Sequence, residues 1–186
     1  MMQIKGTAVK ATPEFVKAKF PGRFKEWMDT MPAKSGNLLR QSIYATNWYP
    51  LTDSVIIPTA HLGKMFFKSE IEGAKEVGRY SAELSLNGIY KIFVRISSPS
   101  FVLSRATSVF STYYSPGEIK IVESSSSHAV LRFMDFEKQD SLILHRIAGW
   151  VEGTLAVVQK GTVQTQVEIN DVQGGKILGN VRVSWK

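Results

Sequence analysis

Apolar and polar positions alternate from residue 2 to residue 9, and Thr12-Pro13-Glu14 follows. A threonine able to cap and a proline suited to the first helical position predict an opening strand that feeds a short helix. Pro21 restarts the pattern, with Phe24, Trp27, Met28 and Met31 at helical spacing until Pro32 stops a second helix. Residues 35–48 hold Leu38, Leu39, Ile43 and Tyr44 in a mixed pattern that fits either a helix or an extended loop. From 51 to 95 the period is mainly helical: Val55, Ile56, Leu62 and Phe66, then Ile71, Ala74, Val77, Tyr80 and Leu84, then Ile89, Ile92, Phe93 and Ile96. Gly63, Gly73, Gly78 and Gly88 punctuate this stretch, and since each costs roughly 1 kcal/mol inside a helix they mark boundaries or close packing. Ser98-Pro99 opens a further helix, which Ser115-Pro116-Gly117 ends.

The period then changes. Residues 118–123 alternate, four serines at 124–127 turn the chain, and residues 128–133 alternate back, the pattern of a hairpin. Asp140 is placed to cap a helix over about 141–158, whose apolar face holds Leu142, Ile143, Ile147, Trp150, Val151, Leu155 and Val158. Gly149 and Gly153, four apart on that helix, point to close backbone approach. Two more alternating runs, 162–169 and 176–185, meet at Gly174-Gly175, a pair that supplies the positive φ of a hairpin turn. The expected architecture is α+β: a helical N-terminal part followed by a four- to five-stranded antiparallel sheet with a ββαββ ending. No repeat, linker or low-complexity tract interrupts it, so residues 1–186 are expected to form a single domain.

Composition narrows the chemistry. The chain is 44% hydrophobic, which excludes disorder, and at 186 residues it can bury a core without disulfides or a structural metal. Cysteine is absent, which excludes thiolate zinc sites, iron–sulfur clusters and cysteine nucleophiles. The opening residues lack an apolar leader, and no uninterrupted run of about 18 apolar residues occurs, so no membrane span and a cytoplasmic location are expected. The net charge of +7 is concentrated early: residues 1–40 carry eight Lys/Arg and three Asp/Glu, against nine and eight in residues 101–186. An acidic partner near the N-terminal third is electrostatically favoured, but the basic residues alternate with acids, so no specific nucleic-acid binding is expected.

Catalytic motifs are missing. There is no Gly-x-Ser-x-Gly elbow, phosphate-cradling loop or dinucleotide fingerprint. His61 has Lys64 and Met65 where a metal-binding helix needs a second ligand, His128 sits beside the serine turn, and His145 is seven residues from Glu152. Glu70/Glu72 and Asp135/Glu137 read as solvated acid pairs. No catalytic residue and no metal site is assigned, and a non-enzyme is expected. The aromatic residues crowd the helical part, where they fill a core or line a ligand cavity between helices.

The order of elements, Ile4-Lys5-Gly6 at the first strand, Pro116-Gly117 after the long helix, Gly149-Trp150-Val151-Glu152-Gly153 and the final Val181-Arg182-Val183-Ser184-Trp185-Lys186 resemble the bacterial haem nitric-oxide/oxygen-binding (H-NOX) domain. The similarity spans nearly the whole chain and is nearest to a haem-free bacterial branch. The same fold group holds 4-vinyl reductase-type domains and Golgi transport-particle subunits. In the haem domains a histidine on the helix before the hairpin ligates iron, yet residues 99–114 contain no histidine. The family's Tyr-x-Ser-x-Arg propionate clamp falls near residues 132–138, which read Arg-Phe-Met-Asp-Phe-Glu-Lys. The resemblance therefore implies the fold with no cofactor, haem included; Tyr113 and His61 are the remaining residues able to act as an axial ligand.

Two functions follow as expectations. One is a non-catalytic sensory or regulatory domain that holds a small apolar ligand between the helical half and the sheet, with candidate lining residues Phe66, Phe101, Arg105, Phe110, Tyr113 and Trp150. The alternative is a protein-interaction module that assembles as a homodimer or with a signalling partner.

Overall fold

In the computed structural model, which describes residues 1–86, 97–158, 161–172 and 174–186, the opening alternation yields a strand of only three residues, β1 (Gln3–Lys5). The chain turns from it directly into helix α1 (Gly6–Lys19). This helix starts well before Thr12 and carries Pro13 in its interior, because Val9, Thr12, Phe15 and Val16 form one buried stripe. Burying that stripe outweighs the ~3 kcal/mol that an interior proline typically costs. A 3-10 turn at Pro21–Arg23 leads to α2 (Phe24–Asp29), which ends ahead of Pro32 as predicted. The mixed segment resolves into α3 (Ala33–Arg40), an irregular stretch and β2 (Trp48–Pro50).

Residues 51–67 are continuously helical, with α4 (Ile57–Leu62) between π-helical turns at Thr52–Ile56 and Gly63–Phe67. Helix α5 (Glu70–Ser85) follows, its Glu72 N–H donating to the Ser69 hydroxyl. The helical positions expected at Gly88, Ile89, Ile92, Phe93 and Ile96 lie outside the described residues. Helix α6 (Pro99–Tyr113) begins as its Ser-Pro signal predicts, with the Ser98 hydroxyl accepting from the Phe101 N–H.

Strand β3 (Tyr114–Ser115) returns to β1, and the three short strands form an antiparallel sheet in the order β2-β1-β3. The ββαββ ending is present: β4 (Glu118–Ser124), β5 (His128–Glu137), α7 (Leu142–Val158), β6 (Val163–Val172) and β7 (Lys176–Trp185). The main antiparallel sheet has four strands in the order β4-β5-β7-β6, and β1 belongs to the smaller sheet instead. Gly174 and Gly175 take φ 83° and 75°, which places the turn between β6 and β7 where the sequence put it. Ile177, Val181, Val183 and Trp185 face inward while Arg182 and Ser184 face solvent, the two-residue period of a half-buried strand.

Helix α7 runs between α5 and the inner face of the sheet. Gly78 and Gly149 let α5 and α7 touch backbone to backbone: a Cβ at Gly78 would lie 2.0 Å from the Arg146 carbonyl oxygen, and one at Gly149 would lie 2.1 Å from that of Lys75. Residues Lys138–Val158 are long and apolar enough to cross a membrane by length and composition, and 44% of the most apolar window is buried inside the fold. Asp140 does not act as expected for a cap: it is buried in a 3-10 turn at Lys138–Asp140 and its Oδ1 accepts from the Thr52 hydroxyl at 2.7 Å.

Two apolar clusters result. The larger one joins β1, α6, α7 and the sheet; the smaller lies among α1, α2, α4 and α5 around Phe15, Trp27 and Leu62.

Candidate functional site

The inward side of α6 presents Val102, Leu103 and Phe110 to the sheet, spaced so that all three fall on one helical face. Phe110 stacks on Tyr114 with ring centroids 4.6 Å apart and meets Phe133 and Phe136 of β5 at 5.9 and 6.2 Å. Phe133 and Phe136 are fully buried, and their own contact at 6.1 Å closes a four-ring packing between helix and sheet.

Arg146 of α7 reaches α1, which continues from the strand that pairs Ile4 with Tyr114. It is 5% exposed, and its Nη2 donates to the Ala8 carbonyl oxygen of α1 at 2.7 Å. Its Nη1 is buried with no hydrogen-bond partner, and among the described residues no carboxylate pairs with it. Burial pushes the guanidinium down from its ordinary pKa, and the one opposing influence is Tyr114. Burial likewise pushes the Tyr114 hydroxyl up, with the Arg146 charge acting against it. Where α1, β3 and α7 meet, the chain therefore holds a cation with one spare donor group, close enough to Tyr114 for each to influence the other's charge.

Six residues further along α7, the charge is a half-buried carboxylate and is fully paired. Glu152 Oε2 accepts from Arg79 Nε at 3.0 Å and Nη2 at 2.7 Å, while Oε1 accepts from Lys75 Nζ at 3.3 Å, the Thr165 N–H at 3.2 Å and the Thr165 hydroxyl. Burial acts to raise its pKa, but the hydrogen bonds from Thr165 and Arg79 and the charges of Lys75 and Arg79 hold it below the usual carboxylate range. This knot ties α5, α7 and β6 together at the Gly-x-x-Glu-Gly motif, where Gly149 makes the close approach its spacing implied.

The six expected lining residues are divided among three places. Phe66 belongs to the smaller cluster, stacked on Phe20 at 4.0 Å. Phe101 is 50% exposed, with the exposed Arg105 guanidinium 5.4 Å from its ring, and Tyr113 is 38% exposed on the same helix. Phe110 and Trp150 are the two that border the Arg146 junction, Phe110 through its stack on Tyr114 and Trp150 one turn along α7.

The histidines are spread as well. His61 Nδ1 contacts the Thr30 hydroxyl at 3.2 Å; His128 lies 2.7 Å from both Ser125 and Glu123; His145 is on α7. Burial first, and then Lys64 for His61 and Lys75 for His145, push those two imidazoles below the ordinary value. Among the described residues no group of three His, Asp or Glu side chains is placed to hold a metal ion. Two recesses open on the solvent face of the main sheet, around His128, Gln164, Arg182 and Ser184.

Sequence reasoning passed over Arg146, and weighed Tyr114 only among the aromatic residues that fill a core or line a cavity. A signal was present: Arg146 stands four residues after Leu142 and four before Trp150, in the middle of an apolar helical face.

No family model and no curated protein matches the chain. Solved structures do. An unliganded Fe(II) H-NOX protein from K. algicida superposes with a TM-score of 0.71 at 10% identity, covering 98% of this chain and 97% of that one. A T. tengcongensis H-NOX variant gives a TM-score of 0.60 at 15% identity, with 98% of each chain covered. An oxygen-binding H-NOX domain related to soluble guanylate cyclases gives 0.65 at 15% identity, covering 98% of this chain and 95% of that one. The chain has an H-NOX-like fold.

Proposed function

We propose that the chain acts as a single-domain, cytoplasmic, non-catalytic sensory or regulatory module that binds a small molecule and carries no haem. One observation carries the reading: the face of α6 turned to the sheet holds Val102, Leu103 and Phe110 packed into Tyr114, Phe133 and Phe136, and residues 99–113 include no histidine. On the helix where the family resemblance implies an iron ligand, this chain has apolar side chains in ring contact. Its residues do not fit haem of the family type. Tyr113 points away from the four-ring packing far enough to be 38% exposed, and His61 is engaged with Thr30 on a different helix.

The fold supports the sensory half of the proposal, because it is shared with an oxygen-binding H-NOX domain related to soluble guanylate cyclases. A ligand here acts by binding one packing of α1, α6 and α7 better than another. Its effect is limited to the difference in affinity between the two packings.

The test is an absorption spectrum of the purified protein after haemin addition, with native mass spectrometry of the same sample. The expected result is free-haemin absorption and a copurified or added small molecule on the protein. A sharp Soret band overturns the haem-free reading. An empty, colourless dimer instead favours an assembly module built on the exposed Phe101 and Tyr113 of α6.

A further inference from the structure

We propose that the ligand is a small organic acid whose carboxylate pairs with Nη1 of Arg146, at the junction of α1, β3 and α7, with its apolar part against the stacked Phe110 and Tyr114. This rests on the ligand-binding reading above and names its chemistry.

The argument starts from the cost of an uncompensated buried charge. A buried lysine or histidine can shed its proton, but a guanidinium keeps its charge across the physiological range, so burial leaves it needing an anion or several acceptors. Arg146 has one acceptor, the Ala8 carbonyl oxygen. Acids are available in the fold and are used elsewhere: Glu152 by Lys75 and Arg79, Asp53 by Lys34 at 2.6 Å, and Asp140 by Thr52. Buried hydroxyls, the Asp140 Oδ2 and the His145 Nδ1 are also left without a partner, but among these described atoms Nη1 is the one on a group that keeps its positive charge at every physiological pH. Nη1 carries two N–H donors, either of which can meet a carboxylate oxygen in a charge-assisted hydrogen bond. A single cation held at α1, which follows the strand that pairs Ile4 with Tyr114, suits a monoanion with an apolar body, whereas a phosphate dianion needs more donors than the junction offers.

The test is thermal unfolding of the full chain with benzoate, its neutral isostere benzamide, and inorganic phosphate. Benzoate about 100-fold above its dissociation constant is expected to raise Tm by roughly 5–10 °C, while benzamide and phosphate leave it unchanged. Arg146→Met is expected to fold and to lose the benzoate shift. Arg146→Lys keeps the charge but not the planar fork and is expected to retain only part of it. Should Arg146→Met not fold, the lysine variant and the benzoate–benzamide contrast in the wild type still decide. A benzoate shift that survives in Arg146→Met overturns the assignment to this residue. Equal shifts with benzamide and benzoate overturn the anionic ligand and leave the ligand-binding reading standing. A phosphate shift without a benzoate shift overturns the carboxylate, and no shift with any probe overturns the organic-acid proposal, leaving the ligand-binding reading to the copurification test above.

Discussion

Helix α7 carries a buried arginine at 146 and a half-buried glutamate at 152, and the two are treated in opposite ways. At Glu152 donors from α5 and β6 converge on both carboxylate oxygens; at Arg146 a single carbonyl serves the guanidinium and Nη1 is left without a partner. Both side chains sit on the same helix, in the same layer between α5 and the sheet. A buried ion with all its partners inside the chain is a fastening, since loosening it exposes several unpaired groups at once. One with a partner missing has binding capacity to spare. The contrast separates the part of α7 that holds the fold together from the part available for a ligand.

Removing the carboxylate should give the largest effect. Glu152→Ala leaves Lys75 and Arg79 without their shared anion, and an equilibrium urea titration should show a loss of about 3 kcal/mol, the low end for a broken buried pair because Arg79 is partly exposed. A loss no larger than that of an average surface substitution would erase the contrast. Gly149→Ala acts on the backbone contact between the two charges: its Cβ would meet the Lys75 carbonyl oxygen, and forcing α5 and α7 apart should cost about 2 kcal/mol by the same titration.

Arg146→Met is expected to go the other way, with stability unchanged or higher by about 1 kcal/mol, since an apolar side chain of similar length replaces an uncompensated cation. A strongly destabilised but folded Arg146→Met would mean that the guanidinium is as much a fastening as Glu152.

Acid titration sharpens the comparison further. The Glu152 carboxyl is held below its ordinary pKa, so the folded state takes up that proton less readily than the unfolded chain. Its contribution is complete above the unfolded value of about 4.3 and is lost as pH falls through the lower folded value. Thermal melts below that point should therefore fall less steeply for Glu152→Gln than for the wild type. Asp140 has the opposite sign: burial first, with Glu137 and Asp53 adding, pushes its pKa up against the Thr52 hydrogen bond. Its contribution is complete below the unfolded value of about 3.9 and declines as pH rises through the folded value, so Asp140→Asn should gain on the wild type between acid and neutral pH. This is the smallest effect of the set, and equal pH slopes for the two proteins would remove it.

Much of the fold was legible along the chain. Period-two runs marked β4 through β7, Gly174-Gly175 marked a turn that needs positive φ, and Ser98-Pro99 marked the start of α6. Each is a local rule satisfied by neighbours in sequence. The errors came where distant contacts won. Thr12-Pro13 looked like a helix start, yet the helix begins at Gly6 because its buried stripe finds the N-terminal cluster; Asp140 looked like a cap, yet its carboxylate is held from Thr52, 88 positions away. The candidate site was legible only in part. Phe110 and Trp150 border the junction, but aromatic residues at helical spacing carry no mark of which cluster they join, and Phe66 went to the other one.

The sequence by itself determined the order of elements, the hairpins, the glycine pair of α7 and the absence of a histidine on α6, because these depend on residue type and short-range geometry. Only the tertiary structure decided which charges are paired. Glu152 meets groups 73 to 77 residues earlier and 13 later, and Arg146 reaches a carbonyl 138 residues away, so whether a buried ion is compensated depends on what chain folding brings within about 3 Å of it.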